Sequence, residues 1–444
     1  MSKPHLTDII DERPLGKRQY MILIICGILM VLDGFDVQSV SYAAPAILQD
    51  WQIDKGELGH VFGSGLFGLL VGSLVFSYFS DKFGRRPILL WATLFFAVCM
   101  LVTAFVQNVE QLIALRFITG LGLGAIMPNA MALCGEITPK KQRISVMMFI
   151  ACGFTVGAML GGFIAAFMIP RWGWHSVFIV GGILPALLLI VMYKYMPESL
   201  QYQALRNPDD PKVRQTLTQF YPSETLPAQF QVTKPQGGMP VKALFEKGRH
   251  KFTITIWVIS LMNMIALYFL SSWMPTLAKL TSIPMEKAIL LGATLQFGGT
   301  VGTIIMGRLI DKQGFHKILV PCFVVAAATI AILGNVVSSL PMFFVLIFII
   351  GFAVIGGQPA INAMAANYYP TEYRTTGVGW SLGIGRIGSV IGPTLGGWLL
   401  TSQAGGAAPT PHDLQQLFYI VAIPSIVIVV FLFIQKSMGL AKAN

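Results

Sequence analysis

Twelve apolar stretches, each long enough to cross a lipid bilayer as a helix, dominate this 444-residue sequence. A spanning helix needs about 20 mainly apolar residues. The stretches cover residues 20–45, 57–79, 88–107, 110–134, 146–169, 176–195, 252–273, 288–309, 318–338, 341–366, 376–400 and 415–435. With 55% hydrophobic residues, 11% charged residues and a mean hydropathy of +0.68, the composition excludes a set of soluble domains. We therefore predict an all-α membrane protein with twelve transmembrane helices.

The basic residues are distributed unequally between the two sides of such a protein. If both chain ends lie on one side, 25 of the 31 Lys and Arg residues fall on that side. Loops rich in Lys and Arg stay in the cytoplasm. The sequence thus predicts a multi-pass inner-membrane protein with both termini cytoplasmic. This asymmetry also explains the net charge of +11 without a nucleic-acid partner.

Several classes of function lack their sequence signals. The chain has no GxxxxGK[ST] nucleotide-binding loop, and no spacing supplies a nucleophile with its base or a metal cluster. Its five cysteines lie in or at the ends of apolar stretches without CxxC spacing, which argues against disulfides and metal sites. We therefore expect neither an enzyme nor a bound cofactor or metal.

An internal repeat divides the chain into two units. The charged turn SDKFGRR at 80–86 recurs 230 residues later as IDKQGFH at 310–316. A second set matches at an offset of 231: Gly120, Pro128, Pro139 and Arg143 correspond to Gly351, Pro359, Pro370 and Arg374. Two matches at nearly one offset indicate a duplicated six-helix half. The interface between such halves is where a midplane binding site is expected.

The repeat sets the predicted domain boundaries. The two six-helix halves are predicted at 20–195 and 252–435, with a long cytoplasmic linker at 196–251 that is rich in Pro, Gln and charged residues. Residues 1–19 and 436–444 are predicted to be cytoplasmic tails, and the first of them is expected to be mobile.

The chain resembles the major facilitator superfamily of transporters over nearly its whole length. Residues 81–86 match that superfamily's characteristic loop, although Ser77 stands where Gly is usual, and LIALRFITGLGLG at 112–124 matches its fourth-helix motif. DGFD at 33–36, followed by Pro45, is similar to the signature of the aromatic acid:proton symporters. The resemblance implies two halves that rock about a central site, and a monomer.

Asp33 and Asp36 lie inside the first apolar stretch. Three residues apart on a helix, they point about 60° apart on one face. A charged carboxylate at bilayer depth costs about 2.5–3.5 kcal/mol, and two neighbouring carboxylates are hard to ionise together. This pattern predicts a proton-coupling pair. The alternative is a packing pair satisfied by neighbouring hydroxyl groups or by an arginine.

Two arginines are predicted at membrane depth. Arg386 lies in GIGRIGSVIGPTLGG, and Gly388, Gly392 and Gly396 form a stripe suited to helix packing. Arg386 points away from that stripe and is predicted to face the cavity, where its guanidinium can hold a substrate carboxylate with two hydrogen bonds. The alternative is that it neutralises an aspartate of the first helix. In the resembled superfamily, the position of Arg116 either lines the pathway or orders helix 1.

Four uncharged polar residues in the second half are further candidates for substrate binding. They are Asn263, Tyr268, Gln358 and Asn362. Gln358 and Asn362 are four residues apart and share a helix face, so together they can hydrogen-bond a ring hydroxyl group. The alternative for each is a hydrogen bond between helices.

The charged residues near the predicted cytoplasmic helix ends are interpreted as a gate. Glu136 and Arg143 are similar in spacing to an acidic and basic pair that, in related transporters, joins the loop between helices 2 and 3. The predicted latch, closed when the cavity faces outward, also contains Asp81, Arg85 and Arg86. Its counterparts in the second half are Asp311, Lys312 and Arg374.

These observations together predict proton-coupled uptake of a small aromatic carboxylate, such as a hydroxybenzoate, by alternating access. The predicted partners are the substrate, protons and the lipid bilayer. Three alternatives stay open: proton symport of a non-aromatic organic acid, symport of a sugar-like solute, and a transporter-like sensor without net flux.

Overall fold

The computed structural model describes residues 5–207, 210–222, 230–231, 241–246, 248–336, 339–404 and 410–438, apart from the side chains of residues 77, 371, 372, 403, 404 and 411. The α-helices are α1 (Leu6–Asp11), α2 (Lys17–Trp51), α3 (Lys55–Phe83), α4 (Arg85–Thr103), α5 (Val109–Leu123), α6 (Ile126–Ile137), α7 (Lys140–Trp172), α8 (His175–Tyr195), α9 (Leu200–Arg206), α10 (Pro211–Phe220), α11 (His250–Leu280), α12 (Met285–Gln313), α13 (Phe315–Leu333), α14 (Leu340–Ile350), α15 (Gly356–Tyr368), α16 (Thr371–Ala404) and α17 (Pro411–Ser437). A 3₁₀ turn covers Val241–Leu244, and a π-helical turn at Gly351–Ile355 joins α14 to α15.

Twelve segments of this helical chain have the length of a membrane span. Eleven of them are also strongly apolar, and they include the continuous runs Val109–Ile137 and Leu340–Tyr368. The twelfth, α16, contains Arg386 and many glycines, which lower its hydropathy. The predicted all-α fold with twelve membrane-spanning helices is confirmed.

The start of the first spanning helix and the linker lie on the same side of the molecule. His5 bridges to Gln231, and the Gln19 side chain lies 3.2 Å from the Tyr221 hydroxyl, so the start of α2 lies beside the linker. We call this the linker side, and the opposite one the far side. Because consecutive spans alternate in direction, α2 ends and α3 begins on the far side.

The two six-helix halves meet along two helix pairs, α3 with α16 and α7 with α12. Near the far side these helices approach closely through small residues: a side chain at Gly59 would lie 3.1 Å from the Gly397 Cα, and Gly162 packs on Ala293. Small residues allow such close backbone contact between membrane helices. The halves are therefore in tight contact on the far side.

The internal repeat is visible as two interruptions at equivalent positions. Gly124 and Ala125 separate the end of α5 from the start of α6. The equivalent positions, 231 residues later, are Ile355, the last residue of the π-helical turn, and Gly356, the first residue of α15. Gly120 packs on the backbone of Gly65, and its counterpart in the second half packs on Leu295. π-helical turns occur frequently at functional sites. The duplicated sequence thus produces a duplicated irregularity next to the interface between the halves.

The predicted boundaries of the first half omit one ordered element. Residues 1–19 were expected to form a mobile tail, but α1 buries Leu6, Ile9 and Ile10. Burial of these apolar side chains offsets the entropy lost on ordering the segment. The expectation of a mobile tail is therefore wrong for residues 5–16, whereas residues 1–4, much of the predicted linker and residues 439–444 lie outside the described residues.

Candidate functional site: a cavity between the two halves

A cavity of about 290 Å³ lies between the halves, bounded by both sets of helices. Its walls are largely apolar and include Met127, Met148, Phe154, Met264 and Leu267. The polar side chains in the lining are Asp33, Gln38, Tyr268, Gln296, Gln358, Asn362 and Arg386, with Ser271, Thr155 and Thr303. Met148 and Thr303 belong to the linker-side parts of α7 and α12, so the cavity extends from mid-membrane toward the linker side.

Asp33 and Arg386 face this cavity from opposite halves. Asp33, on α2, is only 2% exposed, and its Oδ1 atom is buried without a hydrogen-bond partner. Arg386, on α16, also lines the cavity, while Gly388 and Gly392 of the same helix pack on the Leu261 and Ile265 carbonyls of α11. Within the described part of the chain, neither the Asp33 carboxylate nor the Arg386 guanidinium has a hydrogen bond or an ion pair. The cavity therefore contains a carboxyl group and a guanidinium group that have no hydrogen-bond or ion-pair partner among the described residues.

Asp36 has a different environment from Asp33. The Arg116 guanidinium donates hydrogen bonds to both oxygens of the Asp36 carboxylate, with Nη1–Oδ1 and Nη2–Oδ2 distances of 3.3 and 3.1 Å. Both side chains are buried, with exposed fractions of 0% for Asp36 and 5% for Arg116. A guanidinium holding both carboxylate oxygens is a strong, geometrically specific contact. The two aspartates thus have separate environments, because the 60° between them directs one toward α5 and the other toward the cavity.

The position of Arg116 bears on its two predicted roles, binding the substrate and ordering the first spanning helix. Arg116 is absent from the lining of the large cavity and instead borders a void of about 30 Å³, which Gln38, Ser41 and Tyr268 also line. A space of this size holds one or two water molecules. Its guanidinium pairs with the Asp36 carboxylate of α2. This contact favours a role in ordering the first spanning helix, and both roles given for Arg116 stay predictions.

Three predicted polar residues of the second half form a hydrogen-bonded chain. Asn263 donates to the Gln358 Oε1 at 2.7 Å, and Gln358 donates to the Asn362 Oδ1 at 3.1 Å. Asn263 is fully buried, donates also to the Val354 carbonyl in the π-helical turn, and is not part of the cavity lining. Asn263 therefore holds the Gln358 side chain in place from outside the cavity. Of the four polar residues predicted in this half, Gln358, Asn362 and Tyr268 line the cavity.

Sequence reasoning missed the hydrogen bonds that close the far side. Gln38 donates to the Ser271 carbonyl at 2.5 Å, and Ser41 donates to the carbonyls of Ser271 and Ser272 at 2.6 and 2.8 Å. These bonds join α2 of the first half to α11 of the second. The one available signal was the run of polar residues after Asp36 on a helix otherwise apolar.

A second far-side contact joins the ends of α3 and α16. The Thr401 hydroxyl donates to the Asp54 carboxylate at 2.9 Å. Burial acts to raise the pKa of Asp54, but hydrogen bonds from Thr401 and from the Gly56 and Lys55 backbone, together with the Lys55 charge, outweigh it and leave the pKa below its usual value. The carboxylate is thus held in its charged form at the point where the halves meet.

The predicted latch is only partly present. Arg85 forms an ion pair with Glu136, and Ser199 donates to Glu136 as well. The Glu198 carboxylate accepts from the backbone N–H groups of Arg85 and Arg86 at 2.8 and 3.1 Å. Glu198 and Ser199 were not predicted, because both lie in the linker rather than in the matched motifs. All of these groups belong to the first half and the linker, so this network does not join the two halves.

The remaining latch residues form no hydrogen bond or ion pair with that network among the described residues, although Asp81 lies close enough for its charge to act on Arg85. Arg143 pairs with Asp11, at 2.7 Å from its Oδ1, instead of joining Glu136. Arg374 donates to the Tyr369 carbonyl at 3.4 Å. Asp81, Asp311 and Lys312 are exposed, and no hydrogen bond or ion pair to another described residue involves their side chains. The expected latch of the second half is therefore not formed in this structure, and the network of the first half is present while the cavity extends toward the linker side.

No group of three or more His, Cys, Asp or Glu side chains that could hold a metal ion occurs among the residues described. The cavity instead presents a guanidinium, Arg386, and a carboxyl group, Asp33, which are chemically able to hold an anion and a proton.

Sequence comparison with known proteins identifies the family of this chain. The chain matches the family described as Major Facilitator Superfamily over residues 26–295 and 256–442. The 4-hydroxybenzoate transporter PcaK of Pseudomonas putida is 36% identical over 395 residues, which cover 88% of each chain. The gallate transporter of Pseudomonas putida is 34% identical over 401 residues, which cover 90% of this chain and 89% of that one.

A solved structure supports the fold independently. A crystal structure of a bacterial homolog to the human lysosomal transporter Spinster, in an inward-facing and occupied conformation, aligns with a TM-score of 0.73 at 15% identity. The alignment covers 94% of this chain and 96% of that one. The relatives are named as transporters, which confirms that the chain is a transporter and not an enzyme. The chain belongs to the Major Facilitator Superfamily, within which it resembles the transporters of aromatic acids.

Proposed function

We propose that this protein takes up a small aromatic carboxylate, such as a hydroxybenzoate, together with protons, by alternating access. The linker side is the cytoplasmic side in this proposal, because the loops there carry most of the Lys and Arg residues. The protein is then an inner-membrane transporter with both termini in the cytoplasm, acting as a monomer. The cavity extends toward the linker side and is closed on the far side, and in this proposal it represents the inward-facing state.

The observation that carries the proposal is the uncommitted pair of Asp33 and Arg386 in one cavity. A guanidinium without a partner at membrane depth is costly, and a carboxylate ligand compensates it through two charge-assisted hydrogen bonds. The cavity volume of about 290 Å³ is just below the range of about 300–1,000 Å³ that is typical of small-molecule sites. A single-ring acid fits this volume and its apolar walls.

The names of the relatives support the aromatic substrate class. Both are named for hydroxylated aromatic acids, 4-hydroxybenzoate and gallate. In this chain, the Gln358 and Asn362 amides line the same cavity as Arg386. A carboxylate at Arg386 leaves the ring among the apolar walls and brings a ring hydroxyl toward the amides.

Coupling to protons rests on Asp33. Its buried, unpartnered Oδ1 makes the charged form of the side chain costly, and a bound proton removes that cost. With a proton on Asp33 and an anion on Arg386, the cavity carries no uncompensated charge, and the halves can rock past each other. Asp36 takes part indirectly, because its ion pair with Arg116 keeps that cation out of the cavity.

The test is uptake of radiolabelled 4-hydroxybenzoate into proteoliposomes with and without an inward proton gradient. We expect gradient-driven accumulation by the wild type, none by Asp33→Asn, and weak transport by Arg386→Gln. Arg308→Gln is the matched control, since Arg308 is an exposed arginine of the same half, and it should transport normally.

Other outcomes separate the alternatives. Accumulation that ignores the gradient contradicts the role of Asp33. Competition by non-aromatic acids or sugars, but not by benzoate, contradicts the aromatic assignment. Ligand binding by purified protein without flux in vesicles identifies a sensor rather than a transporter.

A further inference from the structure

A second cavity, of about 520 Å³, lies on the linker side between the start of α2, the start of α4 and the linker helix α10. We call it the linker-side pocket and define it by Arg18, Arg86, Gln203, Lys212, Gln215 and Gln219. The proposed transport function does not use it. Lys212, Gln215 and Gln219 lie on one face of α10 because they are spaced three and four residues apart, while Val213, Leu217 and Phe220 bury the other face.

The side chains around the linker-side pocket are mainly hydrogen-bond donors. Arg18, Arg86 and Lys212 supply three positive charges. The three glutamine amides supply N–H donors as well as carbonyl acceptors, and the Oε1 atom of Gln203 is buried without a hydrogen-bond partner. The one acidic group in the lining is Glu198, whose Oε1 already accepts from the backbone N–H groups of Arg85, Arg86 and Ser199. The pocket therefore retains a net positive charge that the residues around it do not neutralise.

Two of these cations have unused donors inside the protein. The Nε atoms of Arg18 and Arg86 are both buried without a hydrogen-bond partner. Arg86 directs Nη2 to the Tyr193 carbonyl at 2.8 Å, and Arg18 has no hydrogen bond or ion pair within the described part of the chain. A buried donor without a partner is costly. An anion in the pocket compensates the positive charge of both guanidinium groups.

The position of the pocket indicates which anion it meets. Arg18 stacks over the Tyr195 ring at 5.5 Å and Arg86 over the Tyr193 ring at 5.7 Å, at the end of the spanning helix α8. Tyrosines at the ends of spanning helices lie at the level of the lipid headgroups. Basic pockets between the ends of membrane helices are suited to anionic headgroups.

We propose that the linker-side pocket binds a phosphate-bearing anion, and that the headgroup of an anionic phospholipid is its occupant. A phosphate there contacts Arg18 and Arg86 from two spanning helices and Lys212 from α10. It thereby fastens the linker to the membrane-embedded half next to the Arg85–Glu136 ion pair. The proposal is independent of the transported substrate.

The experiment is a native mass spectrometry titration of the detergent-purified full chain with phosphatidylglycerol, with phosphatidylcholine as the neutral lipid. We expect one phosphatidylglycerol molecule to bind tightly. Arg18→Gln with Lys212→Gln should weaken that binding about 30-fold, since two basic residues at an anionic headgroup are lost. Lys17→Gln with Arg214→Gln is the matched control, because these neighbours remove the same charge outside the pocket, and it should change binding less than threefold.

Two further arms make the result decisive. Arg18→Lys with Lys212→Arg preserves both charges and should retain binding, which separates loss of the site from loss of the fold. Glycerol phosphate and inorganic phosphate are titrated alone: binding of either with the same variant dependence supports the site with a soluble phosphate as its source. Equal weakening by the pocket and control pairs, or equal binding of phosphatidylcholine, overturns the proposal.

Discussion

Asp33 and Asp36 lie one helical turn apart on α2, yet only Asp36 has an ion-pair partner. Asp36 is closed off by Arg116 within the first half, whereas Asp33 faces a cavity where Arg386 of the second half is also uncommitted. Removing one member of a buried ion pair leaves the other charge buried without a partner. The Asp36–Arg116 ion pair therefore satisfies two buried charges within the first half, whereas Asp33 and Arg386 face the cavity without a hydrogen bond or ion pair to any described residue.

The largest effect is expected from removing one member of the closed pair. Asp36→Asn leaves the Arg116 charge buried and should destabilise the protein by about 3–5 kcal/mol. Thermal unfolding in detergent, followed by tryptophan fluorescence, measures the loss. Asp33→Asn is the matched control and should leave the midpoint nearly unchanged. Equal midpoints for Asp36→Asn and the wild type would contradict the structural role of the pair.

The next largest effect is on substrate affinity. Arg386→Gln removes a charged hydrogen-bond donor worth about 1.5–3 kcal/mol and should raise the KM for 4-hydroxybenzoate about 10- to 100-fold. The double variant Asp36→Asn with Arg116→Gln removes the closed pair as a neutral unit and should leave KM within about threefold. If the double variant raises KM as much as Arg386→Gln does, Arg116 contacts substrate after all.

A smaller effect is expected where the cavity meets the amide chain. Gln358→Leu removes the hydrogen bonds of Gln358 with Asn263 and Asn362. It also removes the proposed neutral hydrogen bond to the ring hydroxyl, which is worth about 0.5–1.5 kcal/mol. It should weaken competition by 4-hydroxybenzoate about three- to tenfold and leave competition by benzoate, which lacks the hydroxyl, unchanged. Inhibition constants measured in the vesicle assay give both values. Parallel losses for the two acids would place Gln358 away from the ring hydroxyl.

The smallest effect concerns the charged turns on the linker side. Glu136→Gln breaks the partly exposed ion pair with Arg85 and should cost about 1 kcal/mol or less in stability. Asp311→Asn, in the matching turn of the second half, should have no effect on the unfolding midpoint because Asp311 is exposed. A loss for Asp311→Asn equal to that for Glu136→Gln would show that the second turn has a partner in the folded protein.

The sequence by itself determined the number of spans, the duplicated halves and the depth of each charge. These features follow from local properties: the length of an apolar run, the spacing of a repeat and the cost of an ionised group in a bilayer. The helix interruptions near Gly124 and Ile355 lie at equivalent positions, so the repeat is present in the backbone conformation as well as in the sequence. Arg386 was likewise placed at the cavity from the glycine stripe beside it.

The tertiary structure alone decided which charges are paired. The partner of Asp36 lies 80 residues away in the sequence, and the partner of Gln38 lies 233 residues away. Arg143 pairs with Asp11, although Glu136 is much nearer to Arg143 in the sequence. Each choice depends on helix rotations of a few tens of degrees and on which helices become neighbours. Residue spacing within one helix carries no such information, because it specifies a direction around that helix but not what lies in that direction.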